Sequence, residues 1–107
     1  MASRLKLHDE FIDILGTRNE EHSRVYFQPP ESKKMTYPCI RYKKSAPFFK
    51  TANNKIYSMI NKYEGVVIDW DPDSKIPDEI VEHFSMCSLG NPYTADNLNH
   101  FPFTLYY

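Results

Sequence analysis

Ile56-Tyr57-Ser58-Met59-Ile60-Asn61-Lys62-Tyr63-Glu64-Gly65-Val66-Val67-Ile68-Asp69-Trp70 is the longest strand candidate in the chain. It ends in three adjacent β-branched residues, Val66-Val67-Ile68, and such a run is apolar on both faces, as in a strand covered from both sides. The sheet is therefore expected to be centred here. Tyr63-Glu64-Gly65 breaks the alternation and is expected to form a bulge.

Upstream, Leu7, Phe11, Ile14 and Leu15 recur at helical spacing, and Gly16 stands where a left-handed C-cap residue belongs, so Leu5 to Leu15 reads as an amphipathic helix. Arg18 to Arg24 is a charged connection. Val25-Tyr26-Phe27 is a short strand stopped by Gln28-Pro29-Pro30. Glu31 to Thr36 is a loop, and Tyr37-Pro38 opens a strand reaching Lys43, with Ile40 and Tyr42 pointing one way and Cys39 and Arg41 the other. Lys44 to Lys55 lacks periodicity, contains Pro47, Asn53 and Asn54, and is expected to be a long loop.

Downstream, Asp69 to Ser74 supplies a turn. Ile76, Ile80, Val81 and Phe84 share one face of a second helix, with Ser74 as its N-cap, Pro77 in the first turn, and Asp78 and Glu79 near the positive end of the dipole. Cys87 to Leu89 and Tyr93 to Leu98 flank Gly90-Asn91-Pro92 and lead into a last strand, Phe101 to Tyr107, in which Pro102 is expected at the start or at a bulge. The order α-β-β-β-α-β-β describes an α+β fold: one mostly antiparallel sheet with two helices packed on the same face.

The chain of 107 residues is 41% hydrophobic and 15% aromatic, enough apolar material for one core and too short for two. Residues 1–107 are thus expected to form a single domain. Met1 to Lys6 has no apolar segment behind its positive charges, and nowhere do eighteen apolar residues run together, so neither export nor membrane insertion is expected. Cys39 and Cys87 lie among apolar neighbours and suit buried thiols in a reducing compartment.

The charges are sorted along the chain although their net sum is only −1. Lys33 to Lys62 holds eight basic residues and no acidic ones, whereas Tyr63 to Tyr107 holds eight acidic residues and one lysine, Lys75. Charge runs commonly face water. Head-to-tail association gives this pattern a second use, because it requires two different and complementary patches on each subunit.

The parts of an enzyme are missing. Asp69-Trp70-Asp71-Pro72-Asp73 copies the first ligands of a calcium loop, but Ser74 stands where the loop needs glycine and Ile80 where it needs a bidentate glutamate. Asp73-Ser74-Lys75 echoes the end of a metal-dependent nuclease site, yet it opens a helix and does not lie on a strand. His8, His22, His83 and His100 show no zinc spacing, nothing local activates either thiol, and Gly16, Gly65 and Gly90 form no phosphate-binding loop. No enzymatic activity, metal or cofactor is expected.

Lys43, Lys44, Lys50 and Lys55 flank Phe48 and Phe49. Basic residues interleaved with aromatics can track phosphates while stacking bases, which supports a nucleic-acid-binding module. The isoelectric point near 6.4 speaks against it, since a dedicated binder is usually basic. Two phenylalanines inside a charged rim fit protein docking. The partner for this segment is expected to be an acidic patch made by Asp69, Asp71, Asp73, Glu79 and Glu82 of an adjacent copy.

The order of pieces resembles the small tail-terminator, or tail-completion, proteins of the necks of tailed bacteriophages. The residues that carry the resemblance are Phe11-Ile12-Asp13-Ile14-Leu15, Val25-Tyr26-Phe27-Gln28-Pro29-Pro30-Glu31-Ser32 and Tyr37-Pro38-Cys39-Ile40-Arg41-Tyr42 in the first half. Val66-Val67-Ile68-Asp69, Asp71-Pro72-Asp73-Ser74-Lys75-Ile76-Pro77-Asp78, Tyr93 to His100 and Phe103 to Tyr107 carry it in the second. The resemblance implies a virion structural protein, assembled in the host cytoplasm into a ring, commonly a hexamer. That ring would cap the tail tube, join it to the head through connector or adaptor proteins, and pass DNA through its lumen. It also implies that residues 44–55 project toward neighbours or the tube. Related proteins of this size occupy other neck layers, so a head-closure or adaptor subunit stays open. The connection through His22 is longer than the resemblance leads one to expect.

Overall fold

The computed structural model describes residues 4–16, 24–30, 34–45 and 61–107 with their side chains, and residues 48–52 and 55–60 as backbone. Helix α1 spans Arg4–Leu15 and is followed by strands β1 (Val25–Phe27), β2 (Cys39–Lys44), β3 (Phe48–Ala52), β4 (Lys55–Ile60) and β5 (Lys62–Asp69). Helix α2 (Ile76–His83) then precedes β6 (Cys87–Leu89), β7 (Tyr93–Ala95) and β8 (Leu98–Tyr106). Six strands form one sheet in the order β1-β2-β5-β8-β6, with β7 also paired to β8. All its pairs are antiparallel except β1 with β2. The connection containing residues 19–22 lies outside the described residues.

Val66-Val67-Ile68 does occupy the middle of the sheet, with β2 on one side and β8 on the other. The longer run around it is not one strand. β4 and β5 break at Asn61 and belong to different sheets, because β4 pairs only with β3. Residues 44–55, expected to be a loop, are mostly strand: β3 and β4 form an antiparallel hairpin from Phe48↔Ile60 to Ala52↔Lys55. In the sequence two asparagines stand between its strands.

Both helices pack on the same sheet face. Leu7 and Phe11 of α1 and Ile80 of α2, with Phe84 just beyond it, meet Ile40, Tyr42, Tyr63, Val67, Phe103 and Leu105 in the main core. Phe11 is its hub, edge-on to Tyr42, Phe84 and Phe103 at 5.1, 5.6 and 5.8 Å between centroids. Gly16 ends α1 as expected, at φ +72°, its N–H donating back to Ile12 and Asp13. On α2 the buried positions are Pro77 and Ile80. Val81, expected on the core face, is 36% exposed, since the sheet meets the stripe containing residues 77, 80 and 84. The N-cap is Lys75 and not Ser74, although the Ser74 hydroxyl accepts from Ile76 N–H at 3.4 Å.

No bulge forms at Gly65: β5 runs in unbroken register against both neighbours. Gly65 lies opposite Phe103, whose ring covers it so closely that a Cβ there would sit 2.3 Å from Cζ. The missing side chain is a seat for a core aromatic.

Pro102 stands inside β8, neither at its start nor at a bulge. Its carbonyl accepts from Gly90 N–H at 2.8 Å, so in strand geometry its nitrogen points the same way, toward the gap between β6 and β7. The donor that proline lacks is therefore one that neither β5 nor a paired neighbour requires. The β7–β8 turn is built on Asp96 and Asn97 at φ 54° and 64°, the two positive values of a type I′ hairpin.

The sheet's other face carries a smaller cluster of Cys39, Ile68 and Leu98, with Tyr26, Met35, Tyr37 and Val66 packed against it. Cys39 is fully buried there and its thiol is pushed up to about 12 by burial. Cys87 lies on the helix side of the sheet, half-buried against the main core, and both cysteines are free. A thiol reagent applied to the native protein is expected to label Cys87 well before Cys39, a difference that denaturant abolishes; peptide mapping after timed labelling checks it.

His8 Nδ1 lies 2.7 Å from the Tyr42 hydroxyl. Burial, then the Arg4 charge, lowers its pKa. Below about pH 6.5 the unfolded chain binds a proton that the folded chain resists. This histidine is thus expected to make stability fall as pH drops through that value. Urea midpoints at pH 7.5 and 5.5 check the sign, and His8→Gln should flatten the dependence.

Candidate assembly interface

β3 and β4 continue the β2–β5 ribbon beyond the sheet. Lys44 pairs with Tyr63 and Ser45 N–H donates to Lys62 O at 2.8 Å, after which the ladder resumes at Phe48↔Ile60. The register slips by one residue on the β2–β3 side of this junction and slips back at Lys50/Thr51, where β4 holds the extra residue. The arm thus leaves and regains the register of the sheet, with a twist-increasing irregularity at each slip. The molecule measures 50 × 29 × 29 Å. The excess length matches a five- or six-residue strand at about 3.3 Å per residue.

This arm carries most of the expected docking residues, on strands and not on a loop. Lys43 and Lys44 end β2 at its root, Phe48, Phe49 and Lys50 are on β3, and Lys55 opens β4. The side chains of the last four lie outside the described residues.

The acidic residues Asp69, Asp71 and Asp73 are at the opposite end of β5. Eight residues separate the arm root from this turn, about 25 Å of extended chain. Asp69 is not part of an open patch: it is 9% exposed and its Oδ1 accepts from Asp71 N–H at 3.2 Å. Asp71 Oδ1 in turn accepts from Asp73 N–H at 2.9 Å, so both carboxylates shape the turn while Asp71 and Asp73 stay exposed. Glu79 and Glu82 are exposed on α2, which leads away from the turn. The acidic residues therefore divide between a tip and a helix flank.

Trp70 stands at that tip, 61% exposed, edge-on to Tyr37 at 5.8 Å. Asn99 Nδ2 donates to its carbonyl at 3.1 Å and fixes the backbone. The sequence points to the carboxylates around Trp70 and not to the indole, although tryptophan is among the residues enriched at binding hot spots.

Between arm and tip, the helix-free sheet face forms a groove of about 720 Å³ lined by Gln28, Pro29, Arg41, Lys43, Lys44, Glu64, Val66, Tyr93 and Pro102, among others. Arg41, Val66 and Pro102 are in register across three strands, as are Lys43 and Glu64. Glu64 lies 3.8 Å from both Lys43 and Lys62. Part of the basic run is thus neutralised within the molecule, by exposed pairs that contribute about 0–1 kcal/mol each. On this face of the sheet one carboxylate stands among two cations of the groove lining, Arg41 and Lys43, so its rim stays positive. Arg41 and Glu64 are functional candidates that charge counting alone did not single out; their alternate positions on paired strands place them on the open face.

Among the described residues no group of three His, Cys, Asp or Glu side chains could hold a metal ion, and no helix is long and apolar enough to cross a membrane. No protein-family model matches the chain, and no curated protein matches it, so its functional reading rests on the arm, the groove and the tip.

Proposed function

We propose that this chain is a non-enzymatic structural subunit that associates head to tail with copies of itself into a closed ring, as in the neck of a tailed bacteriophage virion. One observation carries the reading: part of the charge sorting in the sequence becomes a separation in space, with Lys43 and Lys44 at the arm root and the acidic, tryptophan-bearing turn at the other end of β5. Different patches at opposite ends generate heterologous contacts, and these close into rings when the rotation between neighbours permits. Apolar contact supplies most of the affinity and charge the orientation, because exposed ion pairs contribute little.

The finer assignment follows the resemblance of the sequence phrases to tail-terminator proteins. The ring would cap the tail tube protein and meet the head–tail connector or adaptor, with DNA passing through its lumen. Sedimentation velocity over a range of protein and salt concentrations tests self-association. Electron microscopy of the assembled fraction tests closure. A closed annulus is the expected result, whereas a monomer under all conditions, with tail tubes added or not, removes the reading. Nucleic-acid binding through the same arm is the competing outcome, and steeply salt-dependent binding of short DNA by the monomer would favour it.

A further inference from the structure

We infer that the contact between neighbouring copies is made by the Trp70 turn of one subunit seated in the cationic groove of the next. This rests on the head-to-tail reading above and names the surfaces that perform it.

The turn has the character of a plug. Trp70 projects its indole from a backbone already fixed by two successive aspartate-capped turns and by Asn99, so little conformational freedom is lost when it docks. Exposed Asp71 and Asp73 follow it and give the plug a negative rim. Tryptophan is among the residues most enriched at binding hot spots.

The groove has the complementary character. Its floor includes Val66, Pro102 and the backbone at Gly65, Tyr93 forms part of its wall, and Arg41 and Lys43 supply its charge. Tyr93 is held in place by stacking on His100, with centroids 4.8 Å apart and planes 12° from parallel. An apolar floor takes the indole and the cations take the two carboxylates.

The occupant is another molecule, for a geometric reason. β5 is one uninterrupted strand carrying Val66 in the groove and Trp70 at its far end, and four residues of extended chain hold them about 13 Å apart. In the structure the indole rests edge-on to Tyr37 and takes no part in lining its own groove. The charge signs select a second copy, since each chain presents both the acidic plug and the basic socket.

The test uses two full-length variants with exposed substitutions. Trp70→Ala with Asp73→Asn removes the plug and leaves the socket, while Arg41→Glu with Lys43→Glu reverses the socket and leaves the plug. Each variant alone is expected to lose self-association by about 30-fold or more, the range of anchor residues. Mixed in equal amounts, they retain one intact plug and one intact socket between them. Sedimentation equilibrium at high concentration should then show a 1:1 dimer and nothing larger, which also demonstrates that both variants are folded.

Variants that assemble like the wild type would overturn the plug and socket while leaving head-to-tail assembly standing. Two defective variants whose mixture stays monomeric, or grows beyond a dimer, would overturn the pairing of these surfaces. A wild-type protein that never associates removes both proposals. If the socket variant keeps wild-type association but loses affinity for a labelled single-stranded oligonucleotide that the wild type binds, the groove serves nucleic acid and the inference fails.

Discussion

Replacing Gly65 with alanine is expected to lower stability by about 3 kcal/mol, the upper part of the usual range for overfilling a core. The added methyl group would stand 2.3 Å from Phe103 Cζ and within 2.9 Å of both Cε atoms. Phe103 is 2% exposed and its ring meets Phe11 edge-on, so it cannot swing into solvent. Either the β5–β8 ladder parts or the aromatic cluster shifts, and both routes disturb α1 through Phe11. For a domain of this size the loss corresponds to a fall in Tm of roughly 10–15 °C. A thermal scan measures it. Phe103→Leu in the Gly65→Ala background should recover part of the loss, whereas Phe103→Leu alone should destabilise. The two effects are therefore expected to be strongly non-additive. A Gly65→Ala protein as stable as the wild type would mean that the ring does not lie over this position.

Removal of the arm is expected to weaken ring assembly, since the Trp70 turn and the groove both remain, while leaving the sheet folded. With residues 46–61 replaced by Asn-Gly, β2 and β5 would be joined by a two-residue hairpin at Ser45 and Lys62, where the ladder already brings the chains together. The loss to the body is small. β3 and β4 pair with no strand of the main sheet, and the one described hydrogen bond removed from the body is that from Tyr107 N–H to Asn61 O, at about 1 kcal/mol. Tm should thus fall by only a few degrees, with self-association shifted to higher protein concentration in sedimentation velocity. Phe48→Ala with Phe49→Ala, in the intact arm, should impair assembly more than any single lysine change, because apolar anchors outweigh exposed charges. Normal rings from the armless protein would show that the arm is not part of the joint.

The two variants separate what the chain needs in order to fold from what it needs in order to assemble. Gly65 belongs to the first group although it looks like a defect in a strand, and the arm to the second although it is a regular hairpin.

Several elements were legible in the residues because their causes are local. The spacing of Leu7, Phe11, Ile14 and Leu15 with Gly16 behind them specifies α1, and Pro77, Asp78 and Glu79 mark the start of α2. Val66-Val67-Ile68 signals a central strand, and it lies between β2 and β8. The sorting of eight basic and eight acidic residues into successive segments is also a property of the sequence alone. What the order of residues could not decide was which groups face one another. The break at Asn61 depends on two strands choosing different partners, Pro102 is tolerated because a gap between β6 and β7 lies beside its nitrogen, and Gly65 is empty because Phe103, thirty-eight positions later, fills it. The candidate site divides the same way: charge and aromatic content were written in the chain, but only the extended course of β5 set the acidic tip and the basic arm at opposite ends and opened a groove between them. Local propensity acts over a few bonds, whereas pairing and packing join residues far apart in the chain, and those contacts exist only once the sheet has formed.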